Sequence, residues 1–492
     1  MAVAPAVLLV PLDGRPVRFG APVPAAAVQR GLCLDGPGSL QWRRLPIGRP
    51  DVDPVWVEIA ISGPPGLARV VVGDGPPCPA GAGAVFVREV QHELLPHGRL
   101  ARTTWRWLDG TTDRVERLTF TAPTDLDGER YAPGEHRTDA DASFAARADV
   151  VLRLGRTWFA DVGLLPPHGG GGDTTRQVRR QLAGVLPALR ELPGRRGAGD
   201  YLRSGEVVTN LEFDTTLALV RAAVGLRDAG AWQRARRSAR HLLDRDLDGR
   251  TGLPFPHGLD HRTGQPEPGH AWLQGLLWVG LLTADDELLE AAQSLAAALA
   301  VQPPSGTGRE ERLRDHAWPL HELEALLAVA PDPVLARAAD RLAASILRRF
   351  DATHGTFRFG EGEVGERVYL ERGWLVGGVL LPALRLHGAR SGNVRVLDAV
   401  NRVEQALQER IGRGGQGLPT HWRLANGQAF AEHREEGTAE AGLLLEGLSG
   451  DALARLLRRG SVRAAVAGMP RADDPDLATQ FTMLARCTWV WR

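Results

Sequence analysis

The sequence predicts a β-rich N-terminal region followed by a ring of paired helices, an (α/α)6 toroid. Three observations predict it. Up to about residue 174 the chain is dense in Gly and Pro, and its apolar runs are short, as strands separated by turns require. Beyond that point the apolar spacing becomes helical. The helices there alternate between two kinds, one apolar nearly all round and one with a single apolar stripe, in units of about 45–60 residues.

The strand-like runs are Val7–Val10, Val55–Ile61, Ala68–Val72, Ala84–Val87, Trp105–Leu108, Arg117–Thr121 and Val150–Leu154. Asp13-Gly14 and Gly73-Asp74-Gly75 are turn signals between them. The run from His168 through four glycines to Asp173 is a flexible joint, and no Gly-Lys-Ser/Thr follows to make it a phosphate loop. Beyond the joint, the segments 272–282 and 374–384 are apolar all round and must be buried on every side. In 393–411 the residues Val396, Val400, Val403, Leu407 and Ile411 form one stripe, and in 332–350 Leu335, Ala338, Leu342 and Ile346 repeat it. Helix pairs start near 211, 270, 316, 372 and 436, and a helix near 475–488 pairs with 175–192 to close the ring. The expected domains are a β domain over 1–75, a reduced β-rich middle region and linker over 76–173, and the toroid over 174–492.

Composition narrows the function classes. The 492 residues are 43% hydrophobic and 24% charged, ordinary for a globular chain. Acidic and basic residues balance at 59 each, so no electrostatic footprint suggests nucleic acid or an anionic membrane. Every basic residue is arginine, which excludes a lysine base or Schiff base. Cys33, Cys78 and Cys487 are too few and too far apart for a disulfide framework or a zinc signature. No apolar run approaches the ~20 residues of a membrane span. The apolar start lacks a basic n-region and is interrupted by Pro5 and Pro11, so it reads as a first strand, and the expected location is cytoplasmic.

The links from outer to inner helices, 245–270, 351–371 and 412–435, are long, polar and aromatic, and in a toroid they gather at one end as a funnel. The first holds His257, Asp260, His261, Arg262 and His270. His270 opens a buried helix, whose positive end keeps the imidazole neutral and able to act as a general base. The three histidines are not spaced as a standard zinc site, so no metal is expected, and calcium is left open. The second link carries Tyr369, a proton donor for a leaving group, and Arg372, a bidentate clamp for a carboxylate or a surface partner of Glu366 or Glu371. Trp272 and Trp374 open the two apolar helices. Trp422 offers a face for sugar stacking or for packing, and His433 either faces the funnel or starts a solvated helix. Near the first inner helix, Asn210 suits an N-cap and Glu212 suits the positive helix end, while Glu212 and Asp214 together have the makings of an acid pair.

A family resemblance rests on these same segments. Asn210-Leu-Glu-Phe-Asp214, Ala239-Arg-His-Leu-Leu-Asp-Arg-Asp246, His257-Gly258, Asp260-His-Arg-Thr-Gly264, Gly269-His-Ala-Trp272, Gly275-Leu276 and Leu282-Thr283 occur in that order. Together they resemble the C-terminal toroid of the exo-rhamnogalacturonan lyases, polysaccharide lyase family 26. Asp13-Gly-Arg-Pro-Val-Arg-Phe-Gly-Ala-Pro-Val-Pro24 resembles the start of that family's RIFT barrel. The family's large middle β-sandwich has only residues 76–173 to correspond to it. The resemblance implies β-elimination at a galacturonosyl residue of an acidic oligosaccharide or polysaccharide. Residue chemistry then suits Arg262 or Arg372 to the uronate, His270 or His261 to proton abstraction, and Tyr369 or His257 to the leaving group. Two other functions fit the scaffold: a glycoside hydrolase using Glu212, Asp214 or Asp260, and a carbohydrate-binding relative without turnover.

Overall fold

The computed structural model describes residues 7–14, 17–35, 37–48, 53–71, 84–85, 88–95, 98–106, 112–120, 122–126, 129–133, 135–140, 148–154, 156–167, 172–192, 199–203, 206–208, 213–256, 264–301, 313–358, 368–370, 373–413, 418–425, 428–435, 439–459, 462, 466, 470, 472–473 and 476–492.

The helical half is a closed ring. Its helices are α1 (Asp173–Val185), α2 (Thr215–Leu226), α3 (Ala229–His241), α4 (Leu273–Thr283), α5 (Asp286–Val301), α6 (Arg314–Val329), α7 (Pro333–Arg348), α8 (Leu381–Ser391), α9 (Val394–Arg413), α10 (Ala439–Leu444), α11 (Gly450–Leu457) and α12 (Leu477–Ala485). A turn of α-helix at Gly373–Leu375 and a π turn at Val376–Leu380 lead into α8. The inner helices α2, α4, α6, α8, α10 and α12 stand side by side, and α12 returns to α2, where Thr482 and Thr215 share a 3.0 Å hydrogen bond. The first four each pack on the helix that follows, and α12 takes α1, the sixth pair expected from the pattern. Every residue of α4 is buried, as an all-apolar helix demands, whereas α7 and α9 bury one stripe. Two-residue links join α2 to α3 and α4 to α5. Arg227 and Ala284, at φ 57° and 55°, make the left-handed turns, and Asp228 caps α3 by accepting from Ala231 N at 2.7 Å.

The N-terminal strands are β1 (Val7–Leu12), β2 (Val17–Val23), β3 (Cys33–Asp35), β4 (Ser39–Arg44), β5 (Val55–Ser62), β6 (Gly66–Val71), β7 (Ala84–Val85), β8 (Arg88–Leu95), β9 (Gly98–Arg106), β10 (Thr112–Thr119), β11 (Thr124–Leu126), β12 (Glu129–Tyr131) and β13 (His136–Ala140). They form separate open sheets ordered β1-β6-β3, β2-β5-β4-β7, β13-β10-β9-β8 and β11-β12. This corrects the expected RIFT-type barrel: among the described residues no ladder joins the first sheet to the second. The reason lies in the burial of β2 and β5, whose residues are buried on both faces except for the partly buried Ser62. Such a sheet is an inner layer, because it docks on the toroid. A Cβ on Gly20 of β2 would lie 1.7 Å from the carbonyl oxygen of Leu281 in α4. Trp56 of β5 meets Trp278 of α4 edge to face, with centroids 6.1 Å apart.

A buried ionic seam fastens the same contact. Glu58 pairs with Arg18 and, at 2.5 Å, with Arg43, which reaches Asp286 of α5 at 2.8 Å. Burial pushes the Glu58 carboxyl up, against the pull of the two guanidinium groups.

Other expectations also change. The expected strand Val150–Leu154 is instead the last part of a 3-10 helix, Ala148–Arg153, and the bend after it. The link 412–435 is largely a hairpin, Leu418–Ala425 with Gln428–Glu435, joined by Val368–Leu370 in a three-stranded sheet. Cys33 is disulfide-bonded, which the wide cysteine spacing did not suggest, and Cys487 is buried and free. Among the described residues no helix is long and apolar enough to cross a membrane.

Candidate functional site

The inner helices converge on a polar layer at the axis of the ring. It starts with backbone geometry. Phe213 and Asp214 both hold left-handed φ, 59° and 62°, a strained pair for residues with a Cβ. The turn makes Asp214 the N-cap of α2, with Oδ1 accepting from Leu217 N at 2.9 Å. Asn210, the cap expected from the sequence, lies outside the described residues. The other oxygen of Asp214 accepts from Gly275 N of α4 at 2.9 Å. Glu322 of α6 covers the two preceding donors, Leu273 N at 3.0 Å and Gln274 N at 2.9 Å. Two carboxylates from neighbouring inner helices therefore satisfy the start of a third, where the helix end favours negative charge. Burial, and then the charge of Glu322, push Asp214 up to about 7 against these hydrogen bonds and Arg486.

Beside this pair stand Gln274 and His321. The Gln274 amide nitrogen lies 2.9 Å from Nδ1 of His321 and 3.1 Å from Oε1 of Glu322. Nδ1 of His321 also lies 3.3 Å from Oε1 of Glu322, so the amide, the imidazole and the carboxylate form one hydrogen-bonded triangle. Burial holds His321 below its ordinary value, and Arg486 and Arg221 push the same way against Glu322.

Gln274 and His321 line a cavity of about 630 Å³ that runs from this layer toward the C-terminal ends of the inner helices. That volume lies within the range of small-ligand sites. Arg221, Arg486 and Trp278 also face it. Arg486 donates to Phe213 O at 3.1 Å and lies 4.5 Å over the Trp318 ring. Arg221 donates to Leu164 O at 3.2 Å and to the carbonyl of Arg486. Neither guanidinium is ion-paired with a carboxylate among the described residues. Burial pulls Arg221 down, and the neighbouring Arg486 adds to that against the acid of Glu446.

On the other side of the layer the rings pack together. Trp272 meets Trp318 at 4.7 Å, and Phe213 meets Trp374 at 5.3 Å and Trp318 at 6.3 Å. All four are buried.

The residues expected to act fall in several places. His257, Asp260, His261, Arg262, Glu212 and Arg372 lie outside the described residues. Tyr369, Trp422 and His433 come together in one small sheet, where Tyr369 is opposite Arg423, Trp422 is opposite Leu370 and Ala431, and His433 is opposite His421. His270 is buried, but it ends a 3-10 turn ahead of α4, and its Nδ1 faces the carboxylate of Glu267 rather than a helix N-terminus. Trp272, Trp374 and Asp214 are buried at the layer and do not line the cavity.

Sequence reasoning passed over Arg221, Gln274, His321, Glu322 and Arg486. The available signal was a polar residue inside an otherwise apolar helix, such as Gln274 in the run from Trp272 to Leu282. One further group has metal-ligand geometry among the described residues: Asp200, His241 and Asp246, all buried and none lining the cavity. Burial pulls His241 down, but Asp200 and Asp246 outweigh it and push the imidazole up to about 9.

No family model and no curated protein matches the chain. Among solved structures it is similar to an inactive variant of an α-1,6-mannanase of Salegentibacter sp. HEL1_6 in complex with α-1,6-mannotetrose. That match has TM-score 0.45 and 11% identity over 66% of this chain and 100% of that one. It is also similar to the cellobiose 2-epimerase of Spirochaeta thermophila DSM 6192, with TM-score 0.46 and 14% identity over 65% and 98%. A family 76 glycoside hydrolase from a bovine Bacteroides thetaiotaomicron strain matches over 98% and 96%, with TM-score 0.43 and 8% identity. The resemblance to the rhamnogalacturonan lyases, and with it the lyase activity, is corrected: no family model matches the chain. Among the described residues the barrel that carried half of the resemblance does not form.

Proposed function

We propose that the chain is a carbohydrate-active protein that takes the end of an acidic oligosaccharide into the axial cavity. The observation that carries this reading is the pair Arg221 and Arg486, two buried guanidinium groups on the cavity wall. They make no ion pair among the described residues and share that wall with the acid Glu446, which acts on Arg221. An anion brought into the cavity relieves their mutual repulsion and their lost hydration, and a planar carboxylate suits the guanidinium fork. Gln274 and the imidazole of His321 meet sugar hydroxyls, and Trp278 supplies an apolar face.

A second reading is glycoside hydrolysis at the polar layer. It is favoured by Asp214, which keeps its proton up to about pH 7 beside Glu322. One protonated and one ionised carboxyl are what glycosidic cleavage uses. Against it, the oxygens of both carboxylates accept hydrogen bonds within α2, α4 and their neighbours.

Incubation with acidic and neutral oligosaccharides, followed by assays for binding and for new reducing ends, separates the two readings. Binding of acidic sugars without new reducing ends supports the first alone. New reducing ends that disappear in Asp214→Asn and Glu322→Gln establish the second. No binding of any acidic sugar overturns the first.

A further inference from the structure

The cluster of Asp200, His241 and Asp246 is assembled from two remote pieces of chain by two backbone devices. The first is the π turn Leu242–Asp246 that follows α3, closed by a hydrogen bond from Leu247 N to Leu242 O at 3.1 Å. In an α-helix, residues five apart point about 140° away from each other. The wider π turn brings His241 and Asp246 to one side, and such turns occur often at functional sites. The second device is Gly199. Its φ is 104°, and a Cβ there would lie 2.9 Å from Cβ of His241 and 3.0 Å from Arg237 O. Only glycine lets this loop lie against α3, and doing so lays Asp200 beside His241. Ser238 holds the loop by donating to Gly199 O at 3.0 Å.

The resulting geometry is that of ligands around an ion. Nε2 of His241 is 3.1 Å from Oδ2 of Asp200 and 3.5 Å from Oδ2 of Asp246, and the ligand atoms all lie within 4.8 Å of one another. Tetrahedral zinc with bonds of about 2.0–2.1 Å sets its ligands about 3.3 Å apart. All three side chains are nearly inaccessible, at 0%, 4% and 1% exposure. Two carboxylates and a neutral imidazole around a divalent ion sum to no net charge, which suits such a place. Arg245 reaches Glu135 at 3.1 Å and the Tyr131 ring, and its charge, which also bears on His241, favours the neutral imidazole that a metal needs.

We propose that Asp200, His241 and Asp246 form a structural site for a divalent metal ion of the zinc class, which ties the 199–200 loop to the end of α3. The site stands apart from the axial cavity and takes no part in sugar binding. The competing arrangement of the same atoms is an ion triad in which His241 carries a proton between the two aspartates.

The test is zinc content and melting temperature of the whole chain. Protein incubated with zinc chloride and desalted is expected to retain about one zinc per chain in excess of the Asp246→Asn variant. Its melting temperature is expected to rise with zinc and fall with chelator, and that of Asp246→Asn to respond to neither. If Asp246→Asn does not fold, Asp200→Asn takes its place. If neither folds, the native chain decides, through zinc retention together with a chelator-induced loss of melting temperature. Zinc retained equally by the native chain and the variant, or a native melting temperature indifferent to both zinc and chelator, overturns the proposal in favour of the protonated triad.

Discussion

The amide nitrogen of Gln274 lies 2.9 Å from Nδ1 of His321, and the contact joins two inner helices, α4 and α6, at the wall of the axial cavity. Replacing Gln274 with Leu removes the donor from both His321 and Glu322. Leaving buried acceptors unmet costs about 1–3 kcal/mol. The expected result is a loss of that size in chemical denaturation, together with weaker binding of an acidic sugar. Unchanged stability would mean that the amide does not hold the layer together.

Asp214 gives a pH dependence with a definite sign. Its folded value is raised to about 7 from an ordinary value of 3.8. The folded state therefore binds more protons than the unfolded chain between these values. Its contribution to stability is fully present below the unfolded value and is lost as pH rises through about 7. The stability difference between the native chain and Asp214→Asn should shift against the native chain as pH rises from about 4.5 to 8. A difference that stays flat over this range would contradict the raised value.

Gly275 tests how closely α4 meets α2. A Cβ there would lie 2.4 Å from Oδ1 of Asp214 and 2.5 Å from Cβ of Thr216. Gly275→Ala therefore overpacks a buried junction, and the expected cost is about 1–3 kcal/mol or more, read by denaturation. Gly184→Ala, within α1, is the control for steric clash, because nothing lies within 4 Å of a Cβ at Gly184 and its backbone is helical.

Glu58 tests the docking of the N-terminal sheet on the toroid. Glu58→Ala takes one ion-pair partner from Arg18 and one from Arg43 in a buried seam. Removing one partner from such a network costs about 3–5 kcal/mol. The expected consequence is a large drop in melting temperature and earlier proteolysis between the sheet and the helices.

The ring of helices was legible because burial writes itself into apolar periodicity. The all-apolar 272–282 and 374–384 became inner helices, and the striped 332–350 and 393–411 became outer ones. The N-terminal architecture was not legible. Val55–Ile61 reads as a buried strand whether it lines a barrel or lies between a second sheet and a toroid, and only the docking of Gly20 on Leu281 decides. The site was legible least of all. The cluster of histidines between 257 and 270 drew attention through its density, yet the residues that meet at the axis are single polar positions on separate helices. Glu322 and the Gln274 backbone it binds are 48 residues apart, and Arg486 and Phe213 are 273 apart. No local spacing encodes such pairs.

The central claim is that the ligand site is the axial cavity. Ala325 lines that cavity, and Ala325→Phe fills it. The most direct measurement is calorimetric titration of the native chain and of Ala325→Phe with D-galacturonate, and with D-galactose as the neutral comparison, after confirming that both chains melt alike. The native chain is expected to bind galacturonate more tightly than galactose, and Ala325→Phe to bind neither. Galacturonate bound equally well by Ala325→Phe would contradict it.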